Sequence, residues 1–218
     1  MLTRDLISHS IPHLQMQDTA FHALQLMSDN HITHLPVVED EKYVGIISEE
    51  QLLQGEDSET INEFLIPNSE LAVQASDHFL KAIQLAVISK LSIVPVIEEE
   101  LLLGVVTYDD LLRNASEFMS LSQPGALIVL ELDDKNYSLA EISRIVESND
   151  AQITQLNTYT DSDTGIMQIT IRVSKLEVSD IVSTFQRYEY NIKYYFGEEL
   201  YENEVKTNYD NLMNYLKI

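Results

Sequence analysis

Apolar residues return every three to four positions from Ala20 to Met27, with Phe21 and Leu24 beside Ala23. They do so again from Phe79 to Val87, with Ile83 and Ala86 between. That period predicts two amphipathic helices, with Asp18 and Asp77 placed as their N-caps. After each helix the pattern tightens into short β-branched runs, predicting strands at 35–39 and 43–48 and at 93–98 and 102–107. The acidic stretches Glu39–Lys42 and Glu98–Leu101 read as the hairpin turns between them. Short helices are expected ahead of each set, at Thr3–Ser8 and Ile61–Ile66, and closing helices from Glu49 and from Tyr108.

The two sets are copies, 59 residues apart. Gly45–Gln51 (GIISEEQ) matches Gly104–Asp110 (GVVTYDD), and Leu6, Asp18, Ala23, Pro36 and Leu52 match Leu65, Asp77, Ala82, Pro95 and Leu111. Repetition of this kind predicts two similar units, residues 1–59 and 60–121, each with a surface it cannot bury alone. In the second copy Thr107 ends a strand, and Asp110 follows in the first turn of a helix. A hydroxyl and a carboxylate are thus placed where backbone N–H groups point outward. The arrangement serves either as a helix cap with a solvated acidic turn or as a place for oxygen-rich ligands.

The stretches His34–Val38 (HLPVV) with GIIS, and Ile93–Ile97 (IVPVI) with GVVT, resemble the CBS domain, and the pair over about residues 1–116 resembles a Bateman module. The resemblance implies an adenosine-containing small molecule (AMP, adenosine, S-adenosylmethionine or ATP) in the cleft between the repeats. By the same resemblance Thr107 and Asp110 would hold its phosphate-side oxygens and ribose, and Val105 would line the adenine slot. Ile7, Pro12, Ile32, Thr33 and His34 would form the opposite wall. A second, weaker cleft would use Ser48. Gln51 stands there in the place of the ribose carboxylate and cannot accept from two hydroxyls as a carboxylate does, so that cleft is expected to be weak or empty.

From Ser122-Gln-Pro-Gly125, a helix stop and turn, the period changes. A strand is expected at Ala126–Leu132. A helix follows at Ser138–Ser148, opened by a Ser138…Glu141 capping pattern, with Leu139, Ile142, Ile145 and Val146 on one face. Strands at Ala151–Thr160 and Ile166–Val173 flank a turn at Asp161–Gly165, and a helix at Glu177–Tyr188 precedes a last strand, Tyr190–Phe196. The order βαββαβ is that of the ferredoxin-like fold. Behind a CBS pair it resembles an ACT domain over about residues 126–196. That resemblance places amino-acid binding at the first strand–helix turn, Asp133–Tyr137, where Tyr137 takes the place of a glycine that permits close backbone approach. A CBS pair followed by an ACT-like domain is similar to the acetoin-utilisation-type proteins of bacteria. The expected class is α+β, a CBS pair plus a C-terminal ferredoxin-like domain. In the tail, 197–218, Val205, Tyr209, Leu212, Met213 and Leu216 recur at helical spacing. That stripe is expected to dock on its own domain or on a partner chain.

Charge narrows the partners. The 218 residues carry 36 Asp and Glu against 13 Lys and Arg, a net of −23. Residues 1–112 hold nineteen of the acids and only Arg4, Lys42, Lys81 and Lys90, a net of −15. With no basic cluster to neutralise phosphates, neither nucleic acid nor an anionic membrane is expected as a partner. The absence of Cys excludes disulfides, thiolate metal sites and a Cys nucleophile. No run approaches the roughly 20 apolar residues of a membrane span, and the N-terminal stretch does not read as a signal peptide, so a cytoplasmic protein is expected. His31 and His34 have a spacing that metals can use but no fixed third ligand, so no metal is expected. There is no phosphate-binding glycine loop, dinucleotide fingerprint or nucleophile elbow, and the carboxylate pairs lie in polar turns. No catalysis and no cofactor are expected. The expected function is a regulatory ligand sensor, a homodimer, whose signal passes to or through the ACT-like domain. The alternative is a structural dimerisation module with a vestigial cleft that acts by binding a protein partner.

Overall fold

The computed structural model describes residues 1–65, 68–133 and 137–197. The chain divides into two compact units, the first ending at Ala115 and the second beginning at Ser116.

In the first unit, β1 (Leu14–Gln15), α1 (Ala20–Asn30), β2 (His34–Glu39), β3 (Lys42–Ser48) and α2 (Glu49–Leu52) form one copy. After α3 (Ile61–Phe64), the other copy is β4 (Val73–Gln74), α4 (Phe79–Ser89), β5 (Ile93–Glu98), β6 (Leu101–Thr107) and α5 (Tyr108–Phe118). Their strands make a six-stranded sheet in the order β1-β2-β3-β6-β5-β4, so that one three-stranded set is the other turned about the β3–β6 junction. That junction is narrow and pairs Lys42 with Leu101. In each copy the two-residue strand runs parallel to its neighbour and the hairpin is antiparallel. Both hairpins turn through a pair of residues with left-handed backbone, Asp40 with Glu41 and Glu99 with Glu100.

The lead-in segments of the two repeats are exchanged. Residues 1–8 pack on the second repeat: Thr3 N–H donates to the Asp77 carbonyl (2.8 Å), Arg4 N–H to Ala75 (3.1 Å) and Ser8 N–H to Val105 (2.8 Å). The stretch before the second repeat packs on the first in the same way, with Ile61 N–H donating to Asp18 (2.9 Å) and Asn62 N–H to Met16 (3.1 Å). Thr3, Leu6, Ile61 and Leu65 are buried as a result. The exchange corrects the expected N-caps. The Asp18 and Asp77 carboxylates accept from Gln15 and Gln74 N–H (2.8 Å each), their carbonyls hold the lead-ins, and capping passes to Thr19 and His78. The first lead-in is a 3-10 turn, Thr3–Leu6, rather than a helix to Ser8. The helix faces are also rotated from expectation. Phe21 and Val87 are 59% and 60% exposed, while Ala20, Ala23 and Met27, and Phe79, Ala82 and Ala86, meet the sheet. The alanines Ala20, Ala23, Ala82 and Ala86 let both helices approach it closely, with Met27 and Phe79 filling the space beside them.

The second unit contains β7 (Ala126–Asp133), α6 (Leu139–Glu147), β8 (Ile153–Thr160), β9 (Ile166–Val173), α7 (Ser179–Arg187) and β10 (Asn191–Phe196). Its antiparallel sheet has the order β10-β7-β9-β8, the ferredoxin-like arrangement that the βαββαβ pattern predicts. Ile128, Leu130, Ile169, Ile171 and Val173 share one core with Ile142, Ile145, Val146, Ile181 and Phe185. Leu139, expected on that face, opens α6 and is half exposed. α5 stops at Phe118, short of Ser122. The middle of the turn expected at Asp133–Tyr137, and the C-terminal stripe from Val205 to Leu216, lie outside the described residues.

Candidate functional site

β6 passes into α5 through two side chains closed on each other. The Thr107 hydroxyl donates to Asp110 Oδ2 (2.6 Å) and accepts from the Asp110 N–H (3.1 Å). Thr107 N–H points at the same Oδ2 from 3.4 Å. Both residues are half-buried. Val105, two residues earlier, is buried, and its carbonyl receives the Ser8 N–H, which lays Ile7 and Ser8 along this strand. Gly104 makes the approach possible. Its φ is +152°, and a Cβ there would stand 2.5 Å from Ile7 Cγ2 and 3.2 Å from the Ser8 carbonyl.

Thr33 and His34 join this end of the sheet through Ser92. Thr33 N–H donates to Ser92 Oγ (3.1 Å), and Ser92 N–H donates to His34 Nδ1 (3.3 Å), with Ser92 Oγ 3.1 Å from the same nitrogen. The Ser92 carbonyl accepts from Tyr108 N–H (3.3 Å), where α5 begins. A backbone N–H can only donate, so His34 Nδ1 is an acceptor and the ring proton sits on Nε2. Burial pulls the His34 pKa below its ordinary value. Ile32 lies in the same buried cluster as Val105. Pro12 is half-buried on the link from Ser8 to β1 and is not part of this hydrogen-bonded set. Ser92 is the residue that sequence reasoning passed over, although it stands 59 positions after Thr33 and the repeat marks it as Thr33's counterpart.

The first repeat carries a matching box. Ser48 N–H and the Ser48 hydroxyl both donate to Gln51 Oε1 (2.9 Å each), and Gln51 N–H donates back to Ser48 Oγ (3.2 Å). Here the Thr33 carbonyl accepts from Glu49 N–H (2.9 Å), the role Ser92 plays in the second repeat.

The family model described as the CBS domain matches residues 4–56 and 63–117, one match for each of these repeats. The chain carries a tandem pair of CBS domains. CBS pairs are regulatory modules, often nucleotide-sensing, and typically not catalysts. Solved structures that resemble the chain include a CBS domain pair/ACT domain protein from Thermotoga maritima, at 21% identity over 54% of this chain and 98% of that one, with a TM-score of 0.49. A protein named for acetoin utilization from Vibrio cholerae matches at 20% identity over 56% of this chain and 95% of that one, TM-score 0.48. CBSX2 in complex with AMP matches at 22% identity over 53% and 96%, TM-score 0.47.

Of the five cations of the CBS pair, Arg4, Lys42, Lys81, Lys90 and Arg113, three pair with acids. Arg4 lies 3.5 Å from Glu98, Lys42 2.9 Å from Glu100 and Lys81 2.8 Å from Asp77. Lys90 is the left-handed C-cap of α4. Among the described residues no three metal-ligating side chains converge, and no helix is long and apolar enough to cross a membrane. In the ferredoxin-like unit, a cavity of about 430 Å³ opens at the end of β7, lined by Glu131, Asp133, Glu141, Glu189 and Tyr190 among others. The Tyr190 hydroxyl donates to Glu141 (2.8 Å). Burial, with this bond and the Glu141 charge, pushes the Tyr190 pKa up to about 12.

Proposed function

We propose that the CBS pair is a cytoplasmic regulatory sensor for an adenosine-type ligand, bound at the Thr107–Asp110 end of β6. The observation that carries this reading is the half-buried Thr107–Asp110 box, set between buried Val105 and the exchanged lead-in that brings Ile7 alongside. The Asp110 carboxylate would accept from ribose hydroxyls, Thr107 would face the phosphate side, and Val105 and Ile7 would bracket the base. Thr33 and His34, tied to α5 through Ser92, would form the far wall. A ligand touching Asp110 in the second repeat and Thr33 or His34 in the first would contact both repeats, so it could favour one arrangement of the pair. The ACT-like unit would transmit that preference.

Thermal unfolding with AMP, adenosine, S-adenosylmethionine and ATP tests the proposal. A ligand present at 100 times its dissociation constant stabilises by about 2.7 kcal/mol. A panel in which no member raises the unfolding temperature overturns it. That outcome would favour a structural dimerisation module acting through a protein partner. One observation speaks for such a surface. Two pairs of exposed apolar residues lie 59 apart, Phe21 with Leu80 and Leu53 with Leu112, the last two 68% and 70% exposed. We place a homodimer on these helix faces under either reading. Sedimentation at micromolar concentration should give about twice the 24.9 kDa chain mass, and a monomer would refute the assignment.

A further inference from the structure

The two hairpin tips meet as counterparts with different side chains. Lys42 pairs with Leu101 across the β3–β6 junction, and the two stand 59 positions apart, so the local two-fold of the repeats passes between them. The backbone obeys that symmetry. Tyr43 N–H donates to the Glu100 carbonyl (2.8 Å), and Leu102 N–H points at the Glu41 carbonyl from 3.5 Å. The side chains break it. On the first-repeat side the Lys42 ammonium donates to Glu100 (2.9 Å). Tyr43 is buried there, and its hydroxyl donates to the Leu71 carbonyl (2.9 Å). Asn68 N–H donates to the Val44 carbonyl (3.1 Å), so residues 68–71 are held against the strand.

On the second-repeat side Leu101, Leu102 and Leu103 take the places of Lys42, Tyr43 and Val44. Leucine has no ammonium for Glu41, the counterpart of Glu100, and no hydroxyl for Pro12, the counterpart of Leu71. Among the described residues no cation pairs with Glu41. Leu101 and Leu103 are exposed. A cavity of about 440 Å³ opens on them, with Leu102 and Val38 completing its apolar part and His13 and Glu41 on its polar part. It lies at the hairpin end of β6, whereas the Thr107–Asp110 box is at the other end of that strand.

Volume sets the size of the occupant. The cavity is of the order that holds one small molecule, mostly apolar with a few polar groups. Its seven lining residues fall well short of the roughly 20 that a protein partner covers. Charge sets the sign. Glu39, Asp40, Glu98, Glu99 and Glu100 stand on the same two tips as Glu41, and Arg4 and Lys42 answer only Glu98 and Glu100. Such a field concentrates cations. We infer that this cavity binds a small organic cation, a protonated primary amine on an apolar body, with its ammonium at Glu41 and its body on the three leucines. The ammonium takes the part at Glu41 that Lys42 plays at Glu100. The site is separate from the adenosine reading and does not depend on it.

Tryptamine is the probe, with tryptophol as its neutral counterpart and indole-3-acetate as the anionic one. Amide and leucine-methyl NMR spectra of the full chain follow each titration. Tryptamine should give saturable shifts at Leu101, Leu102, Leu103 and Val38 and none at Thr107 or Asp110. It should bind about two- to five-fold more tightly than tryptophol, the worth of an exposed ion pair, with a margin that shrinks in high salt. Indole-3-acetate should bind most weakly. Glu41→Gln should abolish the margin and leave tryptophol binding unchanged. Leu101→Lys supplies Glu41 with an internal partner and should remove the tryptamine shifts. If that variant loses the folded spectrum, Leu103→Trp fills the cavity without adding charge and should have the same effect. The absence of saturable shifts at the three leucines overturns the inference. So does equal affinity of the wild type for tryptamine and tryptophol, or tryptamine binding undiminished in a folded Leu101→Lys or Leu103→Trp variant.

Discussion

At the scale of single residues, the box makes it possible to separate binding from folding. In Asp110→Asn the amide oxygen can take the place of Oδ2 in the cap, as the Gln51 oxygen does in the first repeat. What is lost is the outward acceptor. AMP affinity should therefore fall by about 1.5–3 kcal/mol, roughly ten- to 150-fold, with little change in unfolding temperature. Calorimetry beside a thermal melt checks this, and equal losses in both would assign Asp110 to folding alone. His34 gives a pH dependence of definite sign. Burial lowers its folded-state pKa below the ordinary 6.5, so the unfolded chain binds more protons between those two values. Stability should rise with pH through that window and be lost as pH falls from about 6.5 toward the folded pKa. Denaturant midpoints at pH 5.5 and 7.5 should differ less in His34→Gln than in wild type. A slope unchanged by the substitution would remove His34 from the account. Thr107 and Asp110 were legible because both lie in one heptapeptide whose spacing already states the cap. Ser92 was not, because a serine before a strand has no distinguishing local pattern and its role comes from Thr33, His34 and Tyr108 meeting around it.

At the scale of elements, the hairpin tips hold strain that the sequence hides. Asp40 with Glu41 and Glu99 with Glu100 have positive φ, the backbone of the tight two-residue turn that Asn-Gly prefers. A glutamate in that region costs on the order of 1 kcal/mol, partly offset when glycine replaces it by the larger entropy of the unfolded chain. Glu41→Gly should thus raise stability by about 0.5–1 kcal/mol, read as a higher urea midpoint with an unchanged slope. A lower midpoint would mean that the turn depends on the glutamate side chain. The long elements could be read from period alone, and the sixfold βαββαβ order gave the second unit's topology. β1 and β4 could not, since two residues carry no period. The exchange of lead-ins was equally hidden. Nothing local to Thr3–Leu6 says that its partners are Ala75 and Asp77 rather than their counterparts in the first repeat.

At the scale of the whole molecule, charge selects among ligands. A triphosphate brings about four negative charges into a unit that carries nineteen acids against five cations over residues 1–115, a net of −14, and whose Arg4, Lys42 and Lys81 are already paired. Each added unit repulsion is worth up to about 1 kcal/mol near contact in water and less when screened. AMP, adenosine or S-adenosylmethionine should therefore bind more tightly than metal-free ATP at low salt, and magnesium should narrow the gap by masking phosphate charge. Calorimetry at two salt concentrations, with and without magnesium, decides it. Tighter binding of metal-free ATP than of AMP would overturn the argument and show that a basic side chain reaches the phosphates. The exchanged lead-ins have a different consequence under mechanical load. Residues 1–8 are anchored on the second repeat, which is also where β6 and the start of α5 lie. Tension applied between residue 1 and residue 115 would therefore run through the Thr3, Arg4 and Ser8 hydrogen bonds in shear and bypass the first repeat. Only after that clasp parts would force enter the first copy, so a protein built of two near-identical halves should yield them in a fixed sequence.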